Sequence, residues 1–248
     1  MIKFPLLFLA GFAAGLIDAI AGGGGIVTIP VLLGMGMQPQ TALGTNKLQS
    51  TFGSGSAMLH FTIAGAIDFR ECVVGIVWTA SGAAVGTMAV QMLDPSFLRW
   101  AIPILLIAIA LFMLFSPHLG IADVRGRMRK NSFFVVFGLL IGFYDGFFGP
   151  ATGTFWAMSF VLLLGFSLTR ATAYTKVMNF TSNLVSLVFF LGGGFVSFTE
   201  GIVMGLGQFA GAQIGSRLVM SKGSRFIRPV FIAMVLAVSV KLLWQNFR

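Results

Sequence analysis

Two short passages interrupt an otherwise apolar chain in the same way. Residues 15–25 read Gly-Leu-Ile-Asp-Ala-Ile-Ala-Gly-Gly-Gly-Gly, and residues 142–153 read Gly-Phe-Tyr-Asp-Gly-Phe-Phe-Gly-Pro-Ala-Thr-Gly. Each inserts one carboxylate, Asp18 or Asp145, and a helix-breaking turn into a hydrophobic stretch. Each is followed by a lysine in a polar cluster, Thr45-Asn46-Lys47 and Tyr174-Thr175-Lys176. In hydrocarbon a charge and a broken helix are both costly, so their pairing in matching halves of a chain marks a binding site.

Composition sets the solvent. The 248 residues are 57% hydrophobic and only 9% charged, against about 25% charged for an ordinary soluble domain. Runs such as 101–115 and 180–195 leave no polar face for water, which defines a polytopic membrane protein with the lipid bilayer as its partner. The net charge of +9 does not indicate nucleic acid, because the basic residues lie between apolar spans, where the positive-inside rule puts them. Cys72 is the single cysteine and excludes a disulfide framework. The first residues resemble a signal peptide, but cleavage after Ala21 would remove half of the repeated motif, so the segment is read as retained.

Sliding the chain against itself by 129 residues superposes Lys47 on Lys176, Glu71 on Glu200, Gly82 on Gly211, Gly86 on Gly215 and Arg99 on Arg228. Asp18 and Gly22 meet Asp145 and Gly149 at a shift of 127. Chance matches leucines and glycines in apolar sequence; it rarely matches the few charges. The expected organisation is a first transmembrane repeat over 1–117, a basic cytoplasmic loop over 118–131 and a second repeat over 132–248. Apolar runs fall at 4–21, 26–37, 41–66, 71–93 and 97–116, then at 133–148, 153–166, 171–193, 200–220 and 226–245.

Whether the halves are parallel or inverted depends on the first two runs of each. As one kinked span they give four crossings per half; as a re-entrant hairpin they give three, and inversion. In the inverted arrangement Arg70, Arg125, Arg127, Arg129, Lys130, Arg170, Arg217, Lys222, Arg225 and Arg228 share the cytoplasmic side, leaving Lys3, Arg99, Lys241 and Arg248 outside. The four-crossing arrangement divides the same residues almost evenly, so the charge rule selects inversion with both termini outside. The fold expected is all-α: two inverted repeats, each a broken, re-entrant helix pair plus three transmembrane helices.

The turns Gly22-Gly23-Gly24-Gly25 and Gly149 to Gly153, with Thr152 between, offer unpaired N–H groups and a helix N-terminus, which together cradle an anion. Lys47 and Lys176 lie too far into apolar runs to reach water and require partners, for which Asp18 and Asp145 are the candidates, within a half or across the repeats. The lysines attract a small anionic substrate; the aspartates carry protons or hold structural ion pairs. Thr45, Asn46, Gln49, Ser50 and Thr51, matched by Tyr174, Thr175, Asn179, Thr181, Ser182 and Asn183, could replace the hydration shell of an oxyanion, although Ser, Thr and Asn also simply join helices in bilayers. The stripes Gly82-x3-Gly86 and Gly207-x3-Gly211-x3-Gly215 are for close helix packing, within a protomer or between two, so a homodimer stays open. His60 and His118 lack ligand spacing, and no metal or cofactor motif is present.

On Asp18 with Ala21 to Gly25, on Ala42-x-Gly-Thr-Asn-Lys47, on Gly142 to Pro150 and on Gly207-Gln-Phe-x-Gly-Ala-x-x-Gly215-Ser-Arg217, the chain resembles the TauE/SafE family of sulfite-exporter-like permeases over nearly its whole length. The resemblance implies a proton-linked carrier of the bacterial inner membrane for sulfite, other sulfur oxyanions or organosulfonates, closest to a poorly assigned branch of probable membrane transporters. One departure stands out: family members often repeat the glycine run in both halves, and here Pro150 removes an N–H from the second. The rival readings are an anion channel without proton coupling, an intramembrane enzyme, for which no paired-histidine or Ser-His arrangement exists, and a cation carrier, which the adjacent lysines oppose.

Overall fold

A computed structural model describes residues 3–114 and 126–222. The last apolar run, residues 118–125 of the basic loop, and the charges at Arg125, Arg225, Arg228, Lys241 and Arg248 lie outside the described residues. Within them the chain is helical: α1 (Lys3–Ala21), α2 (Gly24–Gly34), α3 (Pro39–Ile63), α4 (Phe69–Gln91), α5 (Pro95–Leu114), α6 (Lys130–Phe147), α7 (Thr152–Leu164), α8 (Leu168–Gly192) and α9 (Phe198–Lys222). The helices begin a residue or more before their apolar runs, and polar side chains cap two of them. Asp68 Oδ1 accepts the Arg70 N–H at 2.9 Å, and Ser167 Oγ accepts the Arg170 N–H at 3.4 Å.

The repeat is written into the backbone. Left-handed glycines occur in matched pairs: Gly22 with Gly149, Gly36 with Gly165, and Gly65 with Gly194. Turns that need positive φ recur at the shifts that align the charges.

Small residues set the packing. The most extensive helix contacts are α1 with α9 and α4 with α6, each joining one half to the other. On α1–α9, Gly11 and Gly15 approach the Met204 and Gln208 carbonyls, and Gly207 and Gly211 approach those of Phe8 and Phe12. A β-carbon on any of the four would fall about 2 Å from a backbone oxygen, so the main chains are in contact. On α4–α6, Gly82 and Gly86 meet Leu139 and Phe143, while Gly142 and Gly146 meet Thr79 and Ala83. Both stripes foreseen from the sequence are thus spent inside the protomer and supply no dimer surface.

Residue numbers rise together along both seams, so α1 runs parallel to α9 and α4 to α6. The first pair starts at the ion pair Lys3–Glu200 (2.8 Å), the second at Lys130–Glu71 (2.7 Å). At the centre α3 crosses α8 the other way: Gly44 lies against Phe190 and Gly55 against Phe180. Helices α1, α3 and α9 therefore point one way and α4, α6 and α8 the other, so equivalent helices of the two halves are antiparallel. Helix α2 returns to where α1 began, since Lys3, Leu6, Leu7, Val31 and Met35 line one groove. Helix α7 does the same beside α6, where Leu163 O accepts the Arg127 and Met128 N–H groups. Both are hairpins that enter and leave on one face.

The outside of the bundle is apolar. Leu6, Leu9, Val73, Val77, Leu140, Val188, Leu206 and Phe209 are among the large hydrophobic side chains left exposed, a surface suited to lipid rather than water.

Candidate functional site

The two hairpin tips meet at the centre of the molecule. Gly22 faces Gly153 so closely that a β-carbon on Gly22 would lie 2.4 Å from the Gly153 carbonyl carbon. Thr154 ties the tips together: its N–H donates to Gly22 O at 3.3 Å and its Oγ1 to Ala21 O at 2.9 Å. The tips differ in construction. Four glycines make the first. The second is fixed by Tyr144 Oη donating to Pro150 O (2.6 Å) and by Thr152 Oγ1 donating to Gly149 O (2.6 Å), with Ala151 in the left-handed region at φ 63°. At the starts of the short helices the Ile26, Thr152, Thr154 and Phe155 N–H groups donate to the Gly23, Gly149, Gly22 and Ala151 carbonyls, and the Gly24 N–H reaches Asp18 Oδ1 at 3.5 Å.

Both buried lysines pair across the repeats. Lys47 Nζ of α3 lies 2.6 Å from Asp145 Oδ1 of α6 and 3.3 Å from Asn183 Oδ1. Lys176 Nζ of α8 lies 3.2 Å from Asp18 Oδ2 of α1 and also donates to the Asp18 main-chain oxygen. The lysines are 1% and 0% exposed, and buried charge at this depth persists only when paired. Of the two arrangements the sequence left open, the structure shows the crossed one.

Between the tips lies a cavity of about 20 Å³, lined by Asp18, Gly22, Gly24, Gly25, Asn46, Ser50, Asp145, Gly149, Ala151, Thr152, Gly153, Asn179 and Asn183. That is room for about one ordered water. Asn46 is oriented by Thr28 Oγ1 (2.7 Å) and Gln49 Nε2 (3.0 Å), both donating to its Oδ1; its amide nitrogen lies on the Gly25 side. Asn179 Oδ1 is buried with no protein partner. The lining therefore mixes backbone and amide donors with two carboxylates.

The structure brings together most of the residues picked from the sequence: Gly22, Gly24, Gly25, Asn46, Gly149, Thr152, Gly153 and Asn179 line the cavity with both aspartates. Lys47 and Lys176 do not; they sit behind the aspartates, their charge already met. Thr45 turns away and accepts the Ser197 N–H at 3.0 Å. Tyr174 also points elsewhere, its hydroxyl donating to Glu71 at 2.5 Å on the Lys130 face. Gly23 and Thr175 are outside the lining as well, although Thr175 is buried. Helix geometry explains the placement of Thr45 and Tyr174: residues two apart project to nearly opposite sides, so these two do not share a face with Lys47 and Lys176. The face that reaches the cavity is Asn46–Ser50 on α3 and Asn179–Asn183 on α8, each at i, i+4. Ser50 and Asn183, members of the polar cluster named from the sequence, line the cavity, and Ser182 of the same cluster donates to Asp145 Oδ2; Thr154 was not singled out. No cluster of three potential metal ligands occurs among the described residues.

Crossed hairpins, apolar exterior and buried charge pairs around a small polar cavity define a membrane transporter. The chain belongs to the sulfite exporter TauE/SafE family, whose model matches residues 7–242. It is 45% identical over 245 residues to a "Probable membrane transporter protein" of Haemophilus influenzae, covering 97% of this chain and 94% of that one. It is 45% identical over 241 residues to the "Probable membrane transporter protein YfcA" of Escherichia coli K12, covering 97% and 90%. A "Probable membrane transporter protein" of Xylella fastidiosa (strain 9a5c) is 24% identical over 247 residues, covering 96% and 93%. No solved structure matches the chain.

Proposed function

We propose that the protein is a secondary carrier of the bacterial inner membrane that moves a small oxyanion, sulfite or another sulfur oxyanion or organosulfonate, together with protons. The observation that carries this reading is the pair of crossed Lys–Asp bridges beside a cavity lined by glycines of both hairpin tips and by asparagine side chains. Two lysines and two aspartates cancel, so the resting site has no net attraction for an anion, and the carboxylates at the lining repel one. Protonation of a carboxylate leaves a lysine charge unopposed and turns the same cavity into an anion site. Binding of anion and proton is then coupled by Coulomb's law, in surroundings where charges are weakly screened.

A cavity of about 20 Å³ is too small for an oxyanion, so loading requires the hairpin tips to separate. Each hairpin opens from its own face, and equivalent helices run oppositely, which suits alternating access by one half moving against the other. Positive charge favours one side as cytoplasmic: Arg70, Arg127, Arg129, Lys130, Arg170, Arg217 and Lys222 fall at one end of the bundle, Lys3 and Arg99 at the other. The N-terminus is then outside.

The test is uptake by proteoliposomes of sulfite, sulfate and a simple alkyl sulfonate, with and without an imposed pH difference. Accumulation of at least one anion that follows the proton gradient supports the reading. Flux indifferent to the gradient identifies a channel, and no flux of any of the three removes the substrate assignment.

A further inference from the structure

The two aspartates are related by the repeat, but their surroundings are not. Asp145 has both oxygens engaged: Oδ1 by Lys47 Nζ at 2.6 Å and Oδ2 by the Ser182 hydroxyl. Its side chain is 4% exposed. It sits on the hairpin tip fixed by Tyr144, Pro150 and Thr152. Asp18 is held loosely, with Lys176 Nζ at 3.2 Å from Oδ2 and the Gly24 N–H at 3.5 Å from Oδ1, the limit of a hydrogen bond. Its side chain is 14% exposed and it precedes the tetraglycine turn.

The partner lysines differ in the same sense. Lys176 donates to the main-chain oxygen of Asp18, which also accepts the Gly22 N–H at 2.8 Å. That contact remains when the Asp18 carboxylate is neutralised, so Lys176 keeps a hydrogen-bond acceptor. Lys47 has no such reserve. Neutralising Asp145 leaves it only neutral side-chain acceptors, the carboxyl group itself and Asn183 Oδ1 at 3.3 Å, and an ammonium with no counter-charge in the membrane interior is strongly disfavoured.

Other charge near Asp18 is sparse. Helices α2 and α7 carry no ionisable residue. Asp145 and Lys47 lie across the cavity, and Arg217 of α9, just past the Gly215 that packs on Ala19, interacts electrostatically with His60.

We infer that the carrier's two carboxylates have divided roles: Asp18 exchanges protons with the cavity, whereas Asp145 and Lys47 form a permanently charged bridge that positions the second hairpin. This rests on the proton-linked reading above, but it is testable without any substrate. The experiment is pH-difference infrared spectroscopy of the unliganded protein in a lipid bilayer, following the C=O stretch of protonated carboxyl groups. The chain has only seven acidic residues, so substitution assigns the band. The expected result is one reversibly titrating buried-carboxyl band that Asp18→Asn abolishes and that the double substitution Lys47→Met with Asp145→Leu leaves in place. A band that survives Asp18→Asn, or one that disappears in the double variant, overturns the assignment, and so does the absence of any such band in the unsubstituted protein. If Asp18→Asn fails to fold, the double variant still decides, since loss of the band there locates the titrating group at Asp145. Failure of sulfite, sulfate or sulfonate uptake would leave these spectra untouched, so the two readings fail separately.

Discussion

Lys47 and Asp145 show what a single position can and cannot reveal in advance. That each buried lysine needs an anion follows from burial alone, and the aspartates were visible because the chain has so few acids. Which lysine takes which aspartate depends on how α3 and α8 cross, a property of no local segment. Removing one partner should be far worse than removing both. Lys47→Ala should cost about 3–5 kcal/mol by stranding Asp145, whereas Lys47→Met with Asp145→Leu should lie close to the unsubstituted protein; thermal unfolding in detergent, following near-ultraviolet absorbance, compares them. Glycines offer a second contrast. Gly22→Ala combines a left-handed φ of 77° with a clash on Gly153, so it should fold poorly and transport nothing. Gly36→Ala has the same handedness (φ 81°) but open space around it, and should lose only about 1–2 kcal/mol of backbone strain.

At the scale of elements, helix positions were legible because apolar runs and caps bound them, and the run boundaries lie within about three residues of the helices. The partners of the glycine stripes were less legible. Gly207, Gly211 and Gly215 announce a close contact without saying with what. The answer was present as small residues at matching spacing, Gly11 and Gly15 on α1 and Gly138, Gly142 and Gly146 on α6, but long-range pairing needs the fold. Thr45 and Tyr174 neighbour the lysines in sequence, but the 3.6-residue period turns their hydroxyls to the Ser197 N–H and to Glu71. The seams predict that Gly211→Leu on α9 and Gly86→Leu on α4 both disrupt assembly, since each β-carbon would meet a backbone oxygen about 2 Å away. Gly192→Leu, with no atom within 4 Å, should not. Monodispersity on size-exclusion chromatography separates the two outcomes.

For the whole molecule, the charge map and the helix directions are independent arguments that agree: antiparallel equivalents place Lys3 and Lys130 on opposite faces. Single cysteines at these two positions, in a Cys72→Ser background, should react with a membrane-impermeant maleimide from opposite sides of intact vesicles, Lys3→Cys from outside; labelling from the same side would refute the topology. The deeper claim is that the cavity between the hairpin tips lies on the transport path and opens to each face in turn. Ser50→Cys, in the same background, tests it most directly, because Ser50 lines that cavity and donates no hydrogen bond to the charge pairs. In proteoliposomes of known orientation the account predicts that an impermeant thiol reagent modifies it from either side, and that a transported anion slows both reactions. Modification from one side only, whatever the substrate or pH gradient, would contradict it.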